Sequence, residues 1–189
     1  MKINAIVMAS GLSKRMGENK LFLDFKGKEI YKHTLDLLKE LDLNKVIVVS
    51  SYDQILNEAK EMGFEAIHND DNEVGKSSSI RLGTQACDNE SLMYFVADQP
   101  LLTIETCNKL IDAYKENEVI TYPVVNDRRG APVIFPNSYK EDLLKLEGDQ
   151  GGMILAYKQE VNKVEIDDES ELLDIDTVKA YEDMKGKYE

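Results

Sequence analysis

Residues 3–20 read INAIVMASGLSKRMGENK. The run Ile3–Met8 is apolar and carries β-branched residues, the pattern of a buried strand. After it come Gly11 and Gly17 together with the cations Lys14, Arg15 and Lys20. Between Leu12 and Lys28 there are five basic residues and two acidic ones, in a chain whose net charge is -13. Positive charge is thus gathered just after a strand. In open α/β sheets that is the edge where ligands bind. Glycines let backbone amides approach an anion closely, and lysine and arginine add charge to it. Two common phosphate loops are excluded by spacing. Gly11 and Gly17 lie too far apart for GxGxxG, and Gly17 is followed by Glu18, so the Walker pattern fails. On these residues alone, a phosphate loop competes with a glycine-rich turn bearing solvated lysines.

The rest of the chain gives that loop a frame. Apolar runs at Ile3–Met8, Lys45–Ser50, Glu65–His68 and Leu92–Ala97 predict strands. Amphipathic stretches around Ile30–Leu41, Ile55–Met62, Ile80–Ala86 and Leu110–Tyr114 predict helices between and after them. Such alternation implies a mostly parallel sheet with helices on both faces. In the second half, Val119–Val125, Pro132–Phe135 and Val161–Ile166 read as strands. Asn137–Leu146, Gly152–Lys158 and Asp176–Lys187 read as helices, with a loop over Asn126–Ala131. The chain has 189 residues, the size of one domain. The strand–helix alternation is regular over residues 1–117 and less regular over 118–189.

Bulk properties narrow the partners. The hydrophobic fraction of 42% suits a globular protein. Its acidity argues against a general nucleic-acid binder and against anionic membrane surfaces. No apolar run reaches the roughly 18–20 residues of a membrane span. Cys87 and Cys107 lack metal-ligand spacing and read as free thiols, so a cytoplasmic location is expected. From Glu160 onward eleven acidic residues face four basic ones, mostly a solvated face. His33 and His68 sit in no catalytic pattern, and no GxSxG elbow is present.

Several short motifs carry candidate chemistry. MYFVADQP ends a strand on Asp98, which is either a helix cap or a hard oxygen ligand facing the loop. LLDIDTV places Asp174 and Asp176 before the last helix, where Asp176 is a possible N-cap. HNDDNEVGKSSSIRLG offers Asn69, Ser78 and Ser79 either as capping residues or as hydrogen-bond partners of a base or ribose. RRGAPVIF and LEGDQGGM add Arg128, Arg129, Gly130, Pro132, Asp149 and Gly151. The arginines suit an anionic acceptor or are simply exposed, and Asp149 is an alternative cap.

Taken in order, AxGxSxRMGxxK after the first strand, then GKSSS, then DQP, resemble the nucleotidyltransferases that handle molybdenum cofactor. The resemblance implies a single-domain, Rossmann-like three-layer α/β sandwich of the glycosyltransferase-A type, whose halves 1–117 and 118–189 bind nucleotide and acceptor respectively. It implies a loop of Ala9, Ser10, Gly11, Ser13, Arg15 and Lys20 around a nucleoside triphosphate, with Arg15 and Lys20 on phosphates and catalytic together with Asp98. It also implies Mg²⁺ on Asp98 and Asp176, nucleotide contacts from Asn69, Ser78 and Ser79, and acceptor contacts from Gly130, Pro132, Asp149 and Gly151. The sequence departs from the family's last motif, since Val178 and Lys179 replace the usual proline and acid. Ala9 and Gln99 are similar to the cytidylyl-transferring branch; Ser10 belongs to neither branch. The expected reaction is transfer of CMP from CTP to a molybdenum–pterin cofactor, releasing pyrophosphate, with a molybdenum hydroxylase receiving the product. The alternatives are GTP as donor, a sugar or alcohol phosphate as acceptor, or a non-catalytic cofactor carrier.

Overall fold

A computed structural model describes residues 2–13, 17 and 19–189. The strands are β1 (Ile3–Met8), β2 (Asp24–Phe25), β3 (Lys28–Glu29), β4 (Lys45–Ser50), β5 (Glu65–His68), β6 (Ser91–Val96), β7 (Ile120–Val125), β8 (Arg128–Arg129), β9 (Val133–Phe135) and β10 (Val161–Glu165). The α-helices are α1 (Ile30–Glu40), α2 (Asp53–Glu61), α3 (Lys76–Gln85), α4 (Ile104–Asn117), α5 (Lys140–Leu144) and α6 (Val178–Tyr188).

One sheet runs β10-β7-β9-β6-β1-β4-β5, with β8 attached to β7. The pairs β1–β4, β1–β6, β4–β5 and β7–β10 are parallel. Strand β9 is antiparallel to both β6 and β7. Alternation along β1 explains the layering. Ala5 and Val7 join a core with Leu35 and Leu38 of α1, Ile55 of α2, Leu110 of α4 and Met184 of α6. Ile6 points the other way, toward Ile80 of α3 and Leu143 of α5. Both faces are covered, which is why the parallel strands read as continuous apolar runs. The expected three-layer α/β sandwich with a mostly parallel sheet is present.

The second half corrects the sequence reading. The expected loop at 126–131 contains β8, paired with Val124 and Val125. It is only two exposed arginines long, too short to show a strand pattern. Gly152–Ala156 is a 3-10 helix rather than an α-helix, and the expected helix from Asn137 splits into a 3-10 turn and the short α5. The hairpin β2–β3 also escaped prediction. Its turn residues Lys26 and Gly27 both have positive φ (51° and 78°), as two-residue hairpin turns of the favoured hand require.

Candidate active site

The sheet order sets the place. From β1 the chain proceeds outward to β4 and β5, then returns to lay β6 on the other side of β1. The carboxyl ends of β1 and β6 therefore flank a topological switch point, where such sheets bind ligands. A 440 Å³ cleft opens there, walled by Met8, Ser10 and Gly11 at the end of β1 and by Val96, Ala97 and Asp98 at the end of β6.

The loop after β1 is held from below. Ala9 N donates to Val49 O at 2.8 Å, and Ser50 Oγ donates to Ala9 O at 2.8 Å. Ser10 Oγ donates to Val49 O at 3.3 Å. Tyr52 Oη donates to Gly11 O at 2.9 Å. Its two ends are tied together. Ser13, in the left-handed region at φ 48°, donates from Oγ to Asn19 Oδ1 at 3.3 Å and accepts from Lys20 N at 3.1 Å. Asn19 Oδ1 also accepts Leu21 N, capping the 3-10 turn Lys20–Phe22. This bracing fixes where Lys20 departs from the backbone.

Lys20 then reaches across the cleft. Its Nζ donates to a carboxylate oxygen of Asp98, and to Asp176 Oδ1 at 2.9 Å. The Lys20 and Asp98 side chains are mostly shielded, at 12% and 16% exposure, while Asp176 is half open at 48%. The two aspartates meet because Ile175 N donates to Asp98 O at 3.2 Å, pinning the chain before α6 beside the end of β6. Burial alone pulls the Lys20 ammonium pKa down. The charge and hydrogen bond of Asp98, followed by those of Asp176, outweigh burial and hold it above its ordinary value. Asp174 lies beside them, accessible to solvent yet crowded by protein. That crowding, followed by the charge of Asp98, pushes its carboxyl up to about 6, against a hydrogen bond from Gln99. Two carboxylates thus hold one ammonium, with a third nearby.

The capping alternatives are resolved by the helix ends. Thr103 caps α4, accepting Thr106 N at 3.2 Å, and Thr177 caps α6, accepting Ala180 N at 3.1 Å. Asp98 and Asp176 therefore cap neither helix. Gly151 occupies the cap position of the 3-10 helix after it, so Asp149 is not its cap either. Asp149 lines the cleft. A Cβ on Gly75 would meet Asp149 Oδ1 at 2.5 Å and Gly148 O at 2.6 Å, and Gly75 has φ +116°. Ser77 N also donates to Gly148 O at 3.1 Å. The loop carrying Asp149 is thus seated on the start of α3.

Other expected site residues fall differently. Ser10, Gly11, Ser13, Lys20, Ser79, Asp98, Asp149 and Asp176 line the cleft. Ala9, Asn69 and Ser78 are buried behind it, at 1%, 1% and 2% exposure. Asn69 Nδ2 donates to Ser78 Oγ and Ser79 Oγ, both at 3.0 Å, clamping the end of β5 to α3. Gly130, Pro132 and Gly151 do not line the cleft; Gly130 abuts Leu172. Arg128 donates to Leu172 O at 2.6 Å, which accounts for one of the two arginines. Arg15 lies outside the described residues. Asn72, Glu73 and Lys76 line the cleft and were not singled out from sequence. Lys76 adjoins the serine run and was the available signal; Asn72 and Glu73 gave none.

Among the described residues, no three His, Cys, Asp or Glu side chains form a metal cluster. Yet Asp98 and Asp176 aim hard oxygens at one point, already taken by a cationic group. A pair of carboxylates completed by phosphate and water is the usual protein share of a Mg²⁺ site.

The MobA-like NTP transferase domain model matches residues 5–163. The chain belongs to this family. Within it, the chain is 33% identical over 122 residues to a probable molybdenum cofactor guanylyltransferase of Pyrococcus horikoshii, covering 64% of this chain and 60% of that one. It is 26% identical to the molybdenum cofactor cytidylyltransferase of Escherichia coli, over 98% of this chain and 97% of the other. This MobA-like chain also shares its fold with Rv0371c of Mycobacterium tuberculosis, at TM-score 0.86 and 22% identity over 98% and 99% of the two chains. A structure of Rv0371c in complex with manganese superposes with TM-score 0.83 at 20% identity, over 99% and 100%. Among the described residues no helix is long and apolar enough to cross a membrane.

Proposed function

We propose that the protein transfers CMP from CTP to the terminal phosphate of a molybdenum–pterin cofactor, releasing pyrophosphate. The observation that carries the reading is the convergence of Lys20, Asp98 and Asp176 beneath the glycine loop at the switch point. Phosphoryl-type transfer of this kind needs positioning and charge neutralisation rather than a covalent intermediate. Asp98 and Asp176 would hold Mg²⁺, which supplies charge neutralisation at the phosphates. The structure of Rv0371c with manganese is a precedent for a divalent cation in this fold. Lys20 and Arg15 bind phosphate oxygens. Ser10 and Ser79 offer hydroxyls at the cleft wall to the nucleoside. Asp149 lines the cleft and is the residue this reading gives to the acceptor. An acceptor phosphate is already ionised, so no general base is needed.

The choice of CTP rests on Ala9 and Gln99, and on a cytidylyltransferase relative that aligns end to end. A guanylyltransferase relative, matched over a shorter stretch, supports GTP as the second reading. Purified protein with Mg²⁺, molybdenum cofactor and one nucleotide at a time separates them. Pyrophosphate release with CTP, and little with GTP, is expected. Release only with GTP would reassign the donor, and cofactor binding without turnover would make the protein a carrier. A molybdenum hydroxylase that receives the product is the partner this reading implies.

A further inference from the structure

We propose that Asn69 is a positioning residue: from behind the cleft it fixes the Ser79 hydroxyl as a hydrogen-bond donor to the nucleotide. The inference rests on the nucleotide reading above and adds the direction in which that hydrogen bond runs. Asn69 directly follows β5, where its backbone N donates to Ser50 O at 2.9 Å. Its side-chain oxygen accepts Asp71 N at 3.0 Å, and this bond decides which way the amide faces. Turned over, Nδ2 would meet another donor. Nδ2 therefore faces α3, and donates to Ser78 Oγ and to Ser79 Oγ, each at 3.0 Å. An amide N–H only donates, so both hydroxyl oxygens accept and both hydroxyl protons turn elsewhere. Ser78 shows the consequence, since its Oγ donates to Gly75 O at 2.9 Å. Among the described residues the Ser79 hydroxyl proton has no acceptor. Ser79 is 5% exposed and lines the cleft. A ligand atom with a lone pair, such as a base carbonyl oxygen or ring nitrogen, satisfies that proton. A ligand N–H in the same place could meet only the remaining lone pair of Oγ. It would leave the proton unpaired in a shielded site, which is costly.

Asn69→Asp reverses the direction while keeping the shape. The carboxylate still accepts Asp71 N, but it draws the Ser79 proton toward itself, and the cleft then meets a lone pair. Pyrophosphate release is measured with Mg²⁺, molybdenum cofactor and CTP or GTP, in each single variant and in the double variant with Ser79→Ala. Asn69→Asp is expected to raise the nucleotide KM at least about 10-fold, well beyond any fall in kcat. In the Ser79→Ala background the same change is expected to alter KM by less than about 3-fold, because the hydroxyl it acts through is gone. A clamp that merely holds β5 to α3, or a carboxylate that merely repels phosphates, would alter KM equally in both backgrounds. That result overturns the proposal. Should Asn69→Asp fail to fold, Ser79→Ala alone carries the test, since it leaves Asn69 bonded to Ser78 and Asp71. A nucleotide KM raised at least about 10-fold supports the donor role, and one within about 2-fold of wild type overturns it. Nucleotide binding without pyrophosphate release would fail the transfer reading alone, and the same cycle is then read in Kd. No binding of either nucleotide by wild type would overturn both.

Discussion

Lys20 is the side chain on which most of the chemistry turns. On the proposed reading Lys20 is a phosphate ligand that would stabilise charge growing toward the transition state, and removing one such group typically costs about 10²–10³ in rate. Lys20→Met is therefore expected to lower pyrophosphate release by about that factor; a loss of only a few-fold would leave it a structural counter-charge to Asp98 and Asp176. Gly75 is the second critical position. Its φ of +116° and its contact with Gly148 and Asp149 leave no room for a side chain. Gly75→Ala should destabilise the fold by roughly 1–3 kcal/mol from backbone strain alone, read as a lower urea midpoint. It should also displace Asp149. At this scale the sequence was readable only in part. Lys20, Asp98 and Asp176 were recognisable by motif, but they lie 78 and 156 positions apart, and their meeting is a product of sheet order. The burial of Ala9, Asn69 and Ser78 behind the cleft was invisible for the same reason. A polar residue near a motif looks alike whether it faces the ligand or clamps a helix.

Elements were legible where both faces are buried. β1 and β4 have the bounds expected from their apolar runs, because parallel strands covered on both sides show near-continuous hydrophobicity; the edge strand β5 also keeps its expected bounds, with no residue fully buried. β8 and the β2–β3 hairpin were not, since two-residue strands carry no period. Helix α3 is tied to β1 by a close approach: a Cβ on Gly83 would lie 2.3 Å from Ile6 Cγ2. Gly83→Ala is expected to cost about 1–3 kcal/mol through overpacking, although alanine favours helix. A gain in thermal stability would contradict that packing. Helix α1 is joined to the hairpin through His33, whose Nε2 lies 2.9 Å from Phe25 O. Burial, together with Lys28 and Lys26, lowers the His33 pKa against the opposing effects of Phe25 O and Asp36. The unfolded chain thus binds the proton more readily. The contribution of neutral His33 is complete above its unfolded pKa of about 6.5 and fades as pH falls below it. His33→Gln should flatten the loss of stability as pH falls below about 6.5. An unchanged slope in denaturant melts across that window would exclude His33 as a source.

Over the whole molecule, a chain of net charge -13 gathers five basic residues against two acidic ones in the stretch from Leu12 to Lys28. The acidic surface favours solubility; among the described residues the cleft is lined by Lys20 and Lys76 together with Glu73, Asp98, Asp149 and Asp176. The two halves of the chain share one sheet through the β6–β9 pairing and meet again where Gly148 and Asp149 seat on α3. On the proposed reading, nucleotide and acceptor would both be held by this one frame. The central claim is nucleotidyl transfer to a phosphorylated cofactor at Asp98. Its most direct test is pyrophosphate release by wild type and Asp98→Asn, with Mg²⁺, molybdenum cofactor and CTP, alongside mass spectrometry of the product. The account predicts a cofactor heavier by CMP from wild type and a rate at least about 10²-fold lower from the variant. Undiminished turnover by Asp98→Asn, or no nucleotide adduct from wild type with any nucleotide, would contradict it.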